Sequence, residues 1–177
     1  MALTCNLSKN LLRTNTCGYS LPEVKDIYVA NFADIVSAPV EYSCESGVSI
    51  TGISGTTGFY HIEPAKNSVT FTDELVVQDN GSKYRTHTLT FGISGKYDKD
   101  LVCPIDALAL GRFFVVVATA DGEYLALGRN VGLEASAQSI SGGGDNNGIT
   151  VTLSGNVTES AVPLSEAAIN YVKSGVA

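Results

Sequence analysis

Alternating apolar and polar residues form the dominant pattern along this chain, and the pattern is clearest over residues 68–93. Two alternating runs there flank Asp79, Asn80 and Gly81. Asn-Gly between two such runs is the strongest local signal for a β-hairpin, because both residues tolerate the positive φ that a type I′ turn requires. The pattern therefore predicts a long hairpin. Its outer half, residues 79–87, is polar at nearly every position, so we expect the tip to project into solvent or onto a partner.

Further strands are predicted wherever β-branched and aromatic residues recur in short runs. Asp121 and Gly122 predict the turn of a second hairpin, between residues 112–119 and 124–128. Residues 131–141 and 149–155 alternate on either side of a glycine-rich loop, residues 142–148. Earlier strands are predicted at residues 24–32, 35–40, 48–53 and 59–63. The sequence thus predicts a mainly β protein.

One internal segment changes to a helical period. Over residues 98–110, apolar side chains recur near a single helical face. The expected signals are a cap at Asp98 or Asp100, a proline in the first turn at Pro104, and termination at Gly111. We therefore predict one short helix inserted between strands.

The two ends of the chain differ in pattern. Residues 1–20 are polar and unperiodic, and we interpret them as an N-terminal arm outside the core. Residues 21–177 are predicted to form a single β-rich domain, which suits the length of the chain. Residues 164–172 form a short amphipathic segment for which Ser165 is a suitable helix N-cap.

Composition excludes several classes of protein. The chain has 11 Lys and Arg against 18 Asp and Glu, so its net charge of −7 disfavours a nucleic-acid clamp, whose affinity depends on clustered cations. With 44% hydrophobic residues it has enough apolar surface to fold. No apolar run approaches the ~20 residues of a membrane helix, and no basic-then-apolar leader is visible at the N-terminus. We therefore expect no membrane association.

The glycine-rich loop is the first candidate for ligand binding. It lacks the Lys-Ser or Lys-Thr ending of a phosphate-binding loop, and a strand rather than a helix follows it. Asp145, Asn146 and Asn147 could offer oxygen ligands to calcium, but an EF-type loop needs a terminal glutamate that is missing here. We expect a strand connection and no metal or cofactor.

Catalytic chemistry has equally little support in the sequence. His61 and His87 are the only candidate general bases, and neither lies near a recognisable nucleophile motif. We interpret both as solvent-facing or hydrogen-bonded strand residues. The four cysteines lack the paired spacing of a zinc site, so we interpret them as reduced, packed thiols, with a disulfide between Cys5 and Cys17 as an unsupported alternative. The sequence therefore predicts a protein that is not an enzyme.

The C-terminal seventy residues carry a family resemblance. They run Gly111-Arg-Phe-Phe-Val-Val-Val-Ala-Thr-Ala-Asp-Gly-Glu-Tyr-Leu-Ala-Leu-Gly128, then Val131-Gly-Leu-Glu, the Gly/Asp loop, and Ile149-Thr-Val-Thr-Leu-Ser-Gly155. This order of strands and turns resembles phage tail tube proteins, particularly those of phages and prophages of the Bacteroides group. The resemblance implies a mainly β, tail-tube-like sandwich or barrel with a short flanking helix and an N-terminal arm, related to the tubes of injection systems.

The resemblance also implies a function. Such subunits form stacked, usually hexameric rings around a channel through which DNA passes without specific binding, and an acidic lumen would fit the net charge. We therefore expect a virion structural protein of the tail, assembled in the host cytoplasm, whose partners are copies of itself and other tail or neck proteins. A head–tail connector, neck ring or tail terminator of the same fold remains an alternative.

The resemblance further implies where subunits would meet. The candidate inter-subunit contacts are the hairpin tip and the glycine-rich loop, namely Asp79, Asn80, Gly81, Gly143, Asp145, Asn146 and Asn147, together with the arm. A β-sandwich module that binds carbohydrate is an alternative of another class, disfavoured because the chain has no tryptophan for an aromatic platform. A hydrolase or transferase is the third hypothesis.

Overall fold

The computed structural model describes residues 23–43, 47–93, 99–142 and 148–176. The predicted arm, residues 1–20, and the glycine-loop residues Gly143, Asp145, Asn146 and Asn147 lie outside these ranges. The described chain is mainly β, as predicted. Its strands are β1 (Val24–Asn31), β2 (Ile35–Ser37), β3 (Val40–Ser43), β4 (Gly47–Ile50), β5 (Ser54–Gly55), β6 (Tyr60–Ile62), β7 (Thr70–Val77), β8 (Lys83–Ile93), β9 (Arg112–Thr119), β10 (Tyr124–Leu127), β11 (Leu133–Ser141), β12 (Gly148–Val157) and β13 (Val162–Pro163), and its helices are α1 (Lys99–Leu110) and α2 (Glu166–Ser174).

One nine-stranded antiparallel sheet forms the body of the protein, and we describe its two parts as the first and the second sheet. The first sheet has the order β6-β1-β9-β10-β13, and the second has the order β11-β12-β8-β7. They join where the start of β9 pairs with the start of β11, through Phe113–Leu133 and Arg112–Glu134. β2 pairs with β5 and β3 with β4 in two small ribbons beside this body. The sheets do not close into a barrel, so the architecture is that of a β-sandwich.

The main core lies between the two sheets. Inward-facing residues of both sheets fill it, and the inner face of α1 closes one side. Its principal members are Ile27, Val29, Leu89, Phe91, Ile105, Leu108, Phe113, Val115, Val117, Val151 and Leu153. The alternation of apolar residues along β8 and β12 arises because only one face of the second sheet is buried.

A second core lies on the other side of the first sheet. Here the alternate residues of β9 pack under α2 and the segment that follows β4; the buried members include Phe114, Val116, Ile50, Phe59, Ala168 and Val172. Strand β9 is therefore buried on both faces, which explains its continuous apolar run. The Phe59 N–H donates to the Gly175 carbonyl at 2.7 Å, so the end of α2 is held against the sheet.

The helices agree with the sequence only in part. α1 begins at Lys99, which places Pro104 at its sixth residue, so the prediction of a first-turn proline was wrong. Asp100 lies within the first turn, and Asp98 is outside the described residues. Gly111 does follow the last helical residue: a Cβ there would approach the Phe113 ring to 2.4 Å, so only glycine fits. Ser165 caps α2 as predicted, accepting from the Ala168 N–H at 3.4 Å.

The long hairpin is β7–β8, but its turn differs from the prediction. Of Asp79, Asn80 and Gly81, only Gly81 has a positive φ, at 83°. The Gly81 N–H donates to the Gln78 carbonyl and the Gln78 N–H to the Ser82 carbonyl, each at 2.9 Å. This is the three-residue hairpin loop in which one left-handed residue follows an ordinary turn, so the type I′ prediction was wrong. Because the loop has three residues, Gly81 alone adopts the positive φ and Asn80 does not.

Candidate assembly surface

The outward face of the second sheet is covered by hydroxyl groups. Because β7, β8 and β12 pair in register, their outward residues form rows across the sheet: Thr70, Thr90 and Thr152; Thr72, Thr88 and Ser154; Glu74, Thr86 and Asn156. Beside these rows, Ser139 of β11 lies opposite Thr150 of β12, whereas β11 places Ala137 opposite Thr152 and Glu134 opposite Ser154. We call this surface the hydroxyl face. It repeats one chemistry over β7, β8 and β12, which a single buried core does not require.

Hydrogen bonds within the hydroxyl face hold its side chains in place. The Thr90 and Thr152 hydroxyls lie 3.1 Å apart, and the Thr86 hydroxyl donates to the Asn156 side-chain carbonyl at 3.0 Å. The outward residues of the four strands include the carboxylates Glu74 and Glu134 and no Lys or Arg among those described. Since Arg112 of β9 donates to Glu134 at 2.7 Å, little net charge remains on this surface.

The tip of hairpin β7–β8 extends beyond the rest of the sandwich. Strand β12 accompanies β8 only as far as the Val157–Arg85 pair, whereas β7 continues to the Val77–Lys83 pair. Leu75 and Val77 point to the core side of the sheet but are 56% and 57% exposed. We call Leu75, Val77, Lys83 and Arg85 the overhang face. It is an apolar pair bordered by Lys83 and by Arg85, whose guanidinium also pairs with Asp73, and nothing in the described part of the chain covers Leu75 or Val77.

The base of the same hairpin carries a buried polar network. Asp73 accepts from the Arg85 Nε at 2.6 Å and from the Ala161 N–H at 2.9 Å. Burial would raise the pKa of Asp73, but these hydrogen bonds and the neighbouring positive charges outweigh it and lower the pKa. Asp73 thereby ties β7 to the loop that precedes β13.

His87 lies at the centre of this network. It is 1% exposed, so the prediction that it belongs to a projecting polar tip was wrong, whereas the expectation of a hydrogen-bonded histidine is confirmed. Its Nδ1 accepts from the Gly128 N–H at 3.1 Å, which places the proton on Nε2, 3.4 Å from Asp73 Oδ1. Burial lowers the pKa of His87, against the opposing effect of Asp73. The imidazole is therefore neutral.

A buried ion pair continues the network. Arg129 donates to both carboxylate oxygens of Glu159 and, at 3.0 Å, to the Ala38 carbonyl. The side chains of Arg129 and Glu159 are 21% and 7% exposed. The hydrogen bond to Glu159 raises the pKa of Arg129 above its usual value. This pair joins the end of β10 to the ribbon region and to the loop after β12.

His61, the other candidate base, has a structural explanation. Its Nε2 lies 2.8 Å from Asp26 Oδ1, and its ring stacks on Tyr28 with centroids 5.0 Å apart. Burial, and secondarily the Asp26 charge, raises the pKa of Tyr28. Lys173 lies 5.1 Å above the ring of Tyr124 nearby. These contacts occupy both the edge and the face of the imidazole, and Tyr28 is buried rather than displayed as a platform.

The predicted contact residues are only partly described. Asp79, Asn80 and Gly81 lie together at the exposed end of the hairpin, where the Asn80 side chain accepts from the Ser82 N–H at 2.9 Å. Gly143, Asp145, Asn146 and Asn147 lie outside the described residues, although the loop that contains them does connect β11 to β12. Across the described ranges, no group of three or more His, Cys, Asp or Glu side chains could hold a metal ion. No described helix is both long enough and apolar enough to cross a membrane.

Sequence reasoning missed the overhang face. Leu75 and Val77 share the alternation phase of Phe71, so the pattern alone assigned them to the core. The available signal was the polar character of the opposite strand, β8, in which Arg85 pairs with Leu75 and Lys83 pairs with Val77. Comparison with protein-family models, with curated proteins and with solved structures gave no match.

Proposed function

We propose that this chain is a virion structural protein that assembles into rings stacked as a tail tube, with the hydroxyl face lining the channel through which DNA passes. The observation that carries the proposal is that face: three strands of in-register hydroxyls, bordered by β11, whose described outward residues include two carboxylates and no Lys or Arg. The C-terminal resemblance to tail tube proteins supports the same function. The subunit would act in the virion tail after assembly in the host cytoplasm.

The physical requirement on such a wall is weak adhesion. Binding of DNA by proteins rests on Lys and Arg that neutralise phosphates and release counterions. Hydroxyl groups that already bond to one another, as Thr90 and Thr152 do, offer few free donors to phosphate. A wall of this kind lets a highly charged polymer slide. It differs from the strongly acidic lumen that the net charge suggested, because Glu74 and Glu134 are the carboxylates on it.

Electron microscopy of the purified, concentrated protein tests the proposal. We expect rings or tubes with an axial channel, usually six subunits in a ring as the resemblance implies. Rings that do not stack would favour a connector, neck or terminator role for the same fold. A protein that stays monomeric at the highest attainable concentration would refute self-assembly.

Cation substitution then tests the assignment of the wall. Thr72→Lys with Thr150→Lys adds two charges at exposed positions of the hydroxyl face. The assembled variant should retain duplex DNA, and salt should release it. Val48→Lys with Tyr60→Lys adds the same charge at exposed positions elsewhere and is the matched control. Equal retention of DNA by both variants would show that the hydroxyl face is not the wall.

A further inference from the structure

The overhang face is apolar where a free surface would be polar. Leu75 and Val77 are each more than half exposed, side by side at the end of a two-stranded projection. Lys83 and Arg85 lie opposite them on the same face. Exposed apolar pairs with a charged border are typical of contact surfaces. On a chain whose net charge is −7, Lys83 is the cation that this surface offers, because Arg85 is paired with Asp73.

Helix α1 presents the complementary chemistry. Its inner residues Ile105 and Leu108 are buried in the main core, while Asp106 and Leu110 are exposed one turn apart on the outside. Leu110 is 88% exposed, the largest value among the exposed large apolar residues of the described chain. We call Cys103, Asp106, Ala107 and Leu110 the α1 outer face. It combines an apolar stripe with a carboxylate, whereas the overhang face combines an apolar pair with a cation.

These two surfaces lie on opposite sides of the second sheet. The overhang face belongs to β7 at one edge, and α1 packs against β11 at the other. Two strands, β12 and β8, lie between these edges, so the edges are roughly 15 Å apart at the usual strand spacing. Copies that pair these two unlike surfaces either close as a two-fold dimer or continue head-to-tail. Repeated head-to-tail contacts between unlike surfaces generate closed rings or open helices.

We infer that the overhang face of one copy docks on the α1 outer face of a second copy, with Leu75 and Val77 against Leu110 and with Lys83 beside the partner subunit's Asp106. The inference rests on the proposed self-assembly and names the surfaces that perform it. Charge complementarity selects a second copy as the occupant: Lys83 borders the apolar pair on one surface, and Asp106 is a carboxylate beside an exposed leucine on the other.

Site-directed crosslinking tests the pairing. The background protein has Cys5, Cys17 and Cys44 changed to serine and keeps Cys103 of the α1 outer face. Val77→Cys is then added at the overhang, and the assembled protein is treated with a short bismaleimide. Because each copy carries one thiol of each kind, we expect a ladder of covalent oligomers on a denaturing gel, with peptides joining positions 77 and 103. Tyr60→Cys in the same background is the control and should give no ladder.

A second set of thiols excludes another occupant of the overhang face. Here Cys5 and Cys17 are kept, Cys44 and Cys103 are changed to serine, and Val77→Cys is added. One outcome would overturn the inference. It is a crosslink from position 77 to either N-terminal cysteine in this protein, together with no crosslink from position 77 to position 103 in the first protein. That result would show that the N-terminal residues cover the overhang face. A link between positions 77 and 103 within one copy would also overturn the inference.

Charge exchange provides an independent readout. Lys83→Glu alone and Asp106→Lys alone should each raise several-fold the concentration needed for half-maximal assembly, and the double variant should restore assembly. Lys66→Glu makes the same charge change at an exposed turn before β7 and should leave assembly unchanged. Failure of the double variant to recover would count against the pairing.

The outcomes separate this inference from the proposed function. Rings in the electron microscope without the 77–103 crosslink would overturn the docking pair and leave the tube proposal standing. Absence of any assembly would overturn both.

Discussion

The base and the tip of hairpin β7–β8 reverse the usual distribution of residues. On the same face of the same two strands, Asp73 and His87 lie inside at the base, while Leu75 and Val77 lie outside at the tip. Only two residues separate the two environments along each strand. This difference shows that the burial of a side chain on this face depends on whether another element packs over it.

The covering elements explain the reversal. At the base, Ala161 and Gly128 bring backbone N–H groups from two distant loops to Asp73 and His87. These donors satisfy Asp73 and the Nδ1 of His87, which would otherwise carry a desolvation penalty, whereas the buried Nε2 of His87 makes no hydrogen bond and lies 3.4 Å from Asp73 Oδ1. Beyond the Val157–Arg85 pair, β12 ends and no described element faces the hairpin. The polar base therefore stabilises the fold, and we assign the apolar tip to contacts between copies.

The largest expected effect concerns the ion pair behind the base. Arg129→Met keeps the apolar stem but leaves Glu159 buried without its partner, which should reduce the free energy of unfolding by about 3–5 kcal/mol. Arg112→Met is the matched control, because Arg112 and Glu134 are 53% and 58% exposed and such pairs contribute about 0–1 kcal/mol. Chemical denaturation measures both. Equal losses in the two variants would mean that burial does not distinguish the pairs.

Truncation of leucine on the two halves of the hairpin sharpens the comparison. Leu89→Ala, in the core face of β8, should cost about 2–5 kcal/mol of unfolding free energy because it leaves a cavity. Leu75→Ala, on the same face at the tip, should change it by no more than about 0.5 kcal/mol. The same denaturation series gives both values. A large loss from Leu75→Ala would show that the tip belongs to the folded core of the single subunit.

Lowering the pH should destabilise the buried polar network at the base of the hairpin and leave the tip unaffected. The pKa of His87 is lowered from its ordinary 6.5, so below about pH 6.5 the unfolded chain binds a proton that the folded chain does not, and stability falls as pH decreases through that window. Asp73, whose pKa is lowered from 3.8, loses its contribution only in stronger acid. His87→Gln should therefore flatten the decline between pH 7 and 5 in a series of denaturation midpoints. An unchanged slope in this variant would contradict the role assigned to His87.

The smallest expected effect lies at the turn. Gly81 has a φ of 83° with open space around its Cα, so Gly81→Ala should cost about 1 kcal/mol through backbone strain alone. Gly52 also has open space but no positive φ, and Gly52→Ala is the control, expected to be neutral or stabilising. Thermal unfolding of the two variants measures the difference. A neutral Gly81→Ala would argue against the three-residue loop.

The sequence by itself determined most of the strands and the positions of their turns. Alternation is a local property, so it located both hairpins and the strands that flank the glycine-rich loop. The end of α1 at Gly111 and the start of α2 at Ser165 were also predicted, because a helix terminus needs a particular residue within one turn of it. The apolar run of residues 112–119 predicted the strand β9, and the structure showed that both faces of this strand are buried.

Only the tertiary structure decided which residues of the β7–β8 hairpin are buried and which are exposed. His87 is buried because Gly128, 41 residues away in sequence, supplies its donor, and Arg129 meets Glu159 across 30 residues. Leu75 is exposed because no described element lies over its side of the hairpin. The hydroxyl face exists because three strands pair in one register. A sequence pattern indicates which side of a strand a residue faces. The element that covers that side comes from residues distant in sequence, so it depends on the tertiary fold.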